Sequence, residues 1–172
     1  DADAANDEYF GYSTKINDSI CVISAIGEDK DKDGLSPLVM AGALYIFKKN
    51  STTGVWAFTQ KISQPVRYAS QQFGEVLSLY GNTLNVGCPR HDYDQNEANL
   101  MTDAGAVYSY EYNTVNHQWE FKQKILSYNR IAGQGFGASV GQNSSFIGIG
   151  VPLDKFRQGN VSALTNAGAV HL

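Results

Sequence analysis

The sequence predicts an all-β protein made of three tandem repeats of 63 residues, the third of which is incomplete. Two landmarks recur at this one spacing, a Phe-Gly pair and an Ala-Gly-Ala triplet, and a fixed period of this kind indicates a repeat architecture. Between the landmarks, short apolar segments alternate with polar turns, which is typical of strands rather than helices. The landmarks begin at Phe10, Phe73 and Phe136, and at Ala41, Ala104 and Ala167.

Each full repeat is predicted to form four antiparallel strands. In the second repeat the apolar segments are Phe73–Leu79, Leu84–Gly87, Ala106–Tyr112 and Trp119–Ile125. The segments between them are rich in Asn and Gly, which favour turns. A four-stranded unit repeated at one period is typical of a β-propeller blade. We therefore expect blades at residues 1–63, 64–126 and 127–172, the last without its outer strand.

Three predicted blades do not close a ring, because propellers have about 4–8 blades. Each four-stranded sheet is apolar on both faces and must stack on neighbours to bury them. The third repeat would also leave an unpaired strand edge, which natural proteins cover. The sequence therefore favours part of a larger propeller over a short protein whose copies complete one another.

Composition excludes several classes of function. The formal net charge is −4 and no segment concentrates Lys and Arg, so the main electrostatic term for nucleic-acid binding is missing. No apolar stretch approaches the length of a membrane-spanning helix. The two cysteines, Cys21 and Cys88, lie four positions out of register between repeats and are expected to be buried free thiols.

Three motifs together resemble a known repeat. The Phe-Gly pair, the Gly-x-Pro at Gly87 and Gly150, and the Gly-Ala-Val-Tyr at Gly105 resemble the FG-GAP repeat of integrin α-subunit propellers and their microbial relatives. The first repeat departs from this pattern, with Ser24-Ala25-Ile26 in place of Gly-x-Pro. The Trp-x-Phe-x-Gln-Lys-Ile stretch at Trp56 is similar to repeats of microbial surface proteins rather than of animal integrins. The resemblance implies a propeller of about seven blades, extracellular or at the cell surface, for adhesion, ligand binding or display, often with Ca²⁺ in its loops.

An acidic loop in the first repeat is a candidate calcium site. Acidic residues at every second position before a Gly can direct several oxygens at one cation. No Glu closes the loop, and calcium loops of the resembled family precede the Gly-x-Pro landmark, whereas this loop follows it. The alternative is a solvated loop in which lysines balance the acids. The candidate ligands are Asp29, Asp31 and Asp33, with a weaker set of Asp92, Asp94 and Asn96 in the second repeat.

Four Asn-x-Ser/Thr triplets are candidate sites of N-glycosylation, at Asn17, Asn50, Asn143 and Asn160. Asn17 and Asn143 occupy equivalent places two repeats apart, in a predicted surface turn. Glycosylation of these residues would agree with an extracellular location. The alternative is turn chemistry, since Asn tolerates the backbone that turns require.

No catalytic constellation stands out. The histidines His91, His117 and His171 fall at different positions of the repeat, and no nucleophile motif accompanies them. We therefore expect a non-enzymatic extracellular module that binds a protein or glycan ligand, with tyrosines as candidate glycan-contacting residues. One alternative is a structural subunit that completes its open edges with other copies or chains. Another is the propeller part of a larger secreted enzyme.

Overall fold

The computed structural model describes residues 8–155 and 167–172, and it confirms the all-β prediction. These residues form eleven strands and no helix. The strands are β1 (Phe10–Ile16), β2 (Ile20–Ala25), β3 (Ala43–Lys49), β4 (Trp56–Ser63), β5 (Val76–Tyr80), β6 (Thr83–Cys88), β7 (Ala106–Asn113), β8 (Gln118–Ile125), β9 (Ser139–Gln142), β10 (Ile147–Val151) and β11 (Ala169–His171). No helix among the described residues could cross a membrane.

The strands form three antiparallel sheets in which neighbours along the chain are neighbours in the sheet. The first sheet has the order β1-β2-β3-β4, the second β5-β6-β7-β8 and the third β9-β10-β11. Such meanders follow from the short turns, because antiparallel strands can be joined by a few residues. The Asn160 triplet lies outside the described residues.

One predicted strand boundary was wrong. Strand β5 begins at Val76, not at Phe73, because the Phe73 N–H donates to the Ala41 carbonyl of the first sheet's loop (2.9 Å). Gly74 follows with a φ of +100°, which is outside the range of a strand. The segment before β5 therefore joins two sheets instead of extending one.

Both four-stranded sheets carry a β-bulge at the same place. The register shifts after Ile46 in the β3–β4 pair and after Ser109 in the β7–β8 pair. Each bulge leaves one residue of the outer strand unpaired, Thr59 in β4 and Lys122 in β8. The extra residue explains why the alternation of the Trp-x-Phe-x-Gln-Lys-Ile stretch slips before its end.

The sheets stack face to face, with equivalent strands adjacent. Strand β1 contacts β5, and β5 contacts β9. One apolar cluster joins the first two sheets, with Val22 and Leu44 on one side and Leu77, Val86 and Trp119 on the other. A second cluster joins the second and third sheets.

The connections separate into two opposite edges of the stack. The loop edge holds the long connections, residues 26–42, 64–75, 89–105 and 126–138. The turn edge holds the short hairpins, residues 17–19, 50–55, 81–82, 114–117 and 143–146. Because adjacent strands run in opposite directions, each hairpin lies at the far end of the strands from the long loop that follows it.

Candidate functional site

The acidic residues of the first long loop bind the backbone of their own loop. The Asp29 carboxylate accepts the Met40 N–H (2.7 Å). The Asp31 carboxylate accepts two N–H groups, from Asp33 (3.0 Å) and Leu35 (2.8 Å). The Leu35 N–H is the main cause that lowers the pKa of Asp31. These carboxylates close the loop on itself, as short acidic side chains do in turns.

The second long loop repeats the same hydrogen bonds. Asp92 accepts the Asp103 N–H (2.8 Å), and each residue lies 63 positions beyond its counterpart in the first loop. Asp94 accepts the N–H groups of Asn96 and Ala98 (3.0 Å each). Chiefly through Ala98, these bonds lower the pKa of Asp94 to about 2. The spacing of the aspartates therefore produces two equivalent loops, each held by hydrogen bonds between its own carboxylates and backbone N–H groups.

Cationic side chains bind the carbonyls of these loops. The Arg67 guanidinium donates to the carbonyls of Ser36 (2.7 Å) and Asp29. In the second loop, the ammonium group of Lys124 donates to the Asp94 carbonyl and pairs with Glu97. An oxygen-rich loop that already holds a cationic side chain has fewer oxygens to offer to a metal ion.

The predicted calcium ligands have different hydrogen-bond partners. The Asp33 side chain is exposed and pairs with Lys32 (2.7 Å), whereas the carboxylates of Asp29 and Asp31 accept backbone N–H groups. Asn96 contributes its backbone N–H to Asp94. Within residues 8–155 and 167–172, no three His, Cys, Asp or Glu side chains group in a way that could hold a metal ion.

Calcium binding stays a prediction, and thermal melting tests it. Ligand that binds only the folded chain raises Tm with concentration, so millimolar Ca²⁺ would raise Tm and a chelator would lower it. Calcium binding therefore predicts that a chelator lowers Tm and that added Ca²⁺ restores it. A chelator that leaves Tm within about 1 °C of its starting value would contradict the prediction and leave both loops as internally bonded turns.

A buried ion pair lies beneath the first loop. Glu28 is fully buried and pairs with Lys61 on β4 (2.9 Å), which is also buried. The Tyr45 hydroxyl and the Lys30 N–H also donate to the Glu28 carboxylate. Burial disfavours the charged carboxylate, but these hydrogen bonds and Lys61 outweigh it, so the pKa of Glu28 is lowered. The pair ties the loop to the outer half of its sheet.

The equivalent position in the second loop holds a buried histidine. His91 lies 63 residues after Glu28 and is fully buried. Its Nδ1–H donates to the Gln71 Oε1 (2.9 Å), and the Tyr108 hydroxyl lies 3.3 Å from Nδ1. Gln64 donates to that hydroxyl (2.8 Å). Because both glutamines belong to the connection between β4 and β5, this cluster joins the first sheet to the second.

His91 makes stability depend on pH. Burial, together with nearby Lys124 and Arg130, lowers its pKa to about 3, whereas an unfolded His titrates near pH 6.5. Between these values the unfolded chain takes up a proton that the folded chain does not. Stability is therefore lost as pH falls below 6.5, by about 1 kcal/mol per pH unit. Denaturant unfolding from pH 7 to pH 4 should show a smaller loss for H91Q than for the parent chain, and equal losses would contradict the assignment.

The long loops present apolar side chains to solvent. Leu35 and Val39 in the first loop are 66% and 64% exposed, and Leu100 in the second is 62% exposed. Tyr68 and Tyr93, in two loops of the same edge, stack with ring centroids 4.1 Å apart. Exposed apolar groups on one edge of a molecule make that edge a candidate binding surface. The sequence analysis named tyrosines as candidate ligand contacts, but it missed Leu35, Val39 and Leu100 because the exposure of a single apolar residue has no sequence signal.

The candidate glycosylation residues lie at the opposite, turn edge. Asn17, Asn50 and Asn143 are exposed, and each begins a hairpin turn. In each turn the Oδ1 atom accepts two backbone N–H groups at 2.8–3.0 Å. The Nδ2 atom, which carries the sugar in N-glycosylation, is left for solvent. Turn chemistry and glycosylation are thus compatible at these three residues.

The remaining candidates are scattered. His91 is buried at the loop edge, His117 lies in a turn and His171 lies on β11, so the three do not converge. Cys21 and Cys88 are free thiols, of which Cys88 is buried and Cys21 half-buried.

Comparisons with known proteins add no relative. No model of a known protein family matches the chain, and a search of curated proteins finds no match either. The resemblance to FG-GAP repeats therefore stands on its motif residues alone.

Proposed function

We propose that the chain is a non-enzymatic, extracellular or cell-surface binding module of the FG-GAP propeller kind. Its three sheets would be successive blades of a larger propeller ring, and its loop edge would bind a protein or glycan ligand. The observation that carries this proposal is the pair of equivalent loops on one edge. Hydrogen bonds to their own aspartates hold the backbone of each loop, and both loops expose apolar side chains.

Stacking of the sheets supports the propeller part of the proposal. The second and third sheets each place a Phe-Gly pair on small residues of the sheet before them, at Phe73 and at Phe136. The two contacts are equivalent along the sequence, and equivalent strands meet in both. A repeated contact that adds one sheet at a time is what radial repetition of blades requires.

The loops support the binding part of the proposal. Binding loops are commonly held by a rigid scaffold, because a loop that is ordered in advance loses less entropy when it meets its ligand. Here the frame comes from Asp29, Asp31, Asp92 and Asp94, which bind backbone N–H groups within their own loops. The exposed apolar residues that follow these aspartates in each loop, Leu35, Val39 and Leu100, remain available to a ligand.

Glycosylation provides a test of location. When the chain is secreted from a host that glycosylates proteins, we expect sugars on Asn17, Asn50 and Asn143, and a mass shift that deglycosylation removes. Asn113 is the matched control, because it caps the same kind of turn with its Oδ1 but is followed by Thr114-Val115 and lacks the acceptor triplet. If the secreted chain carries no sugars, glycosylation is contradicted, and these residues serve only to form the turns.

Binding to intact cells tests the function itself. The labelled chain should bind to the surface of cells of its own organism, and L35D and L100D should each reduce binding by about tenfold, since each places a charge in an apolar contact. V115D is the matched control, because Val115 is 88% exposed but lies at the turn edge. Equal loss in all three variants, or no binding by the parent chain, would contradict the proposal. Prior treatment of the cells with protease or with glycosidase distinguishes a protein ligand from a glycan.

A further inference from the structure

The contact between the first two sheets has two complementary parts. One part is a seat of small and apolar residues on the first sheet, at Ser24 and residues 42–44. The other is the Phe73-Gly74 pair, whose backbone lies against that seat. A Cβ on Gly42 would lie 2.4 Å from the Phe73 carbonyl oxygen, and one on Gly74 would lie 2.8 Å from Leu44. Neither glycine can be replaced without moving the sheets apart.

The contact between the second and third sheets repeats these parts. Its seat is formed by Gly87 and residues 105–107, each 63 positions beyond its counterpart. A Cβ on Gly105 would lie 2.2 Å from the Phe136 carbonyl oxygen, and one on Gly87 would lie 2.2 Å from the Gly137 oxygen. The Phe136 N–H donates to the Ala104 carbonyl (3.0 Å), as Phe73 does to Ala41.

The third sheet carries the same seat, and no described residue of another sheet lies on it. Within the sheet, the Ser139 hydroxyl lies 2.1 Å from the position of a Cβ on Gly150, so this side chain has to turn aside when the seat is filled. Gly150 and residues 168–170 again lie 63 positions further on, and they line an open cleft of about 550 Å³. The exposed fractions of equivalent residues show that no part of residues 8–155 or 167–172 covers the cleft. Leu44 and Val107 in the two filled seats are fully buried, whereas Val170 at the equivalent position is 70% exposed.

The first sheet carries the matching Phe-Gly pair, also uncovered. Phe10 is 46% exposed, whereas Phe73 and Phe136 are 0% and 1% exposed. Its ring nevertheless packs within its own sheet as theirs do. The Phe ring contacts the residue 35 positions later, with centroid distances of 5.3 Å to Tyr45, 5.6 Å to Tyr108 and 5.3 Å to His171.

The backbone of the uncovered pair already has the docked conformation. Tyr9 and Gly11 have φ values of +52° and +93°, and the docked equivalents Gln72 and Gly74 have +50° and +100°. A left-handed φ is unusual for a bulky residue such as Tyr9. A segment preformed in its bound shape avoids part of the cost of ordering on binding.

We propose that the seat on the third sheet binds the Phe10-Gly11 pair of a second copy of this chain. The chain makes this kind of contact twice within itself. The uncovered seat and the uncovered Phe-Gly pair are each 63 residues from an equivalent in those contacts, and the pair has the same backbone conformation as its docked equivalents. The two halves lie on different surfaces, so the contact is head-to-tail and either closes into a ring or continues as a filament. In either case the Phe10 N–H of the second copy meets the Ala167 carbonyl of the seat, as the Phe73 N–H meets the Ala41 carbonyl.

Two substitutions test the contact from its two sides. F10D places a carboxylate on the pair, and V170D places one on the seat, where burial without a partner is strongly unfavourable. By light scattering after size exclusion, we expect the parent chain to form multiples of 18.8 kDa and both variants to remain at 18.8 kDa. F146D is the matched control, because Phe146 is 67% exposed on the same sheet as Val170 but lies at the turn edge. It should assemble as the parent does.

Mixing the two variants separates loss of contact from misfolding. F10D keeps an intact seat and V170D keeps an intact Phe10, so an equimolar mixture should form a one-to-one complex that neither variant forms alone. A parent chain that stays monomeric at about 100 μM, where even a weak contact of this size would be populated, would overturn the proposal. So would a mixture that shows no complex. If the chain is monomeric but is stabilised by a synthetic peptide of residues 127–138, the seat binds a further repeat and not a second copy.

Discussion

Replacing Gly105 with Ala is expected to lower the free energy of unfolding by about 2–5 kcal/mol. The residue has a φ of +84°, where a side chain costs about 1–2 kcal/mol. The new Cβ would also lie 2.2 Å from the Phe136 carbonyl oxygen, and overpacking against backbone adds about 1–3 kcal/mol. For a chain of this size, Tm should fall by roughly 10 °C.

Gly54 provides the matched control for this substitution. It has a φ of +73°, but no atom lies within 4 Å of the position of a Cβ. G54A therefore bears only the conformational cost of about 1–2 kcal/mol. Thermal melting of the two variants separates the cost of the backbone from the cost of parting two sheets. Equal losses would mean that the close approach at Gly105 does not contribute to stability.

Replacing Lys61 with Met is expected to cost about 3–5 kcal/mol, because it leaves Glu28 charged and unpaired in the interior. Both side chains are at most 5% exposed, so solvent does not compensate. K122M is the matched control: Lys122 is 45% exposed and lies 3.4 Å from Glu111, so its loss should cost less than about 1 kcal/mol. Urea unfolding at pH 7 measures both.

A second substitution and a change of pH test the cause. The double variant K61M/E28Q removes the uncompensated charge and should recover more than half of the loss at pH 7. The pKa of Glu28 is lowered on folding, so its contribution is present above the unfolded value and is lost as pH falls through the folded value. The parent chain should therefore lose this stabilisation only in acid. If K61M alone is as stable as the parent, the ion pair does not hold the loop.

Much of the fold followed from the repeat. The 63-residue spacing predicted where strands β6, β7 and β8 lie to within about two residues, because each is an apolar segment between turn residues. The segment at Phe73 was misassigned for a physical reason. Its apolar side chain fits a strand, but its backbone pairs with another sheet, and pairing across 32 residues, from Ala41 to Phe73, has no local signal.

The loops were harder to predict than the strands. Acids at every second position suit a calcium loop and an internally bonded loop equally well, and only the positions of the N–H groups distinguish the two. The buried ion pair was missed because Glu28 becomes His91 in the next repeat, so comparing repeats does not draw attention to it. The two side chains that bind Glu28 could have drawn attention to the site, because Tyr45 and Lys61 recur as Tyr108 and Lys124 in the next repeat.

Loops that are held by their own carboxylates can be exchanged as units. The bonds of Asp29 and Asp31 end within residues 29–40, so they do not depend on the exposed side chains of Leu35 and Val39. Laboratory libraries can therefore diversify these two residues while keeping the two aspartates. A chain with two such loops on its loop edge is therefore a scaffold on which binding to new ligands can be selected without changing the sheets.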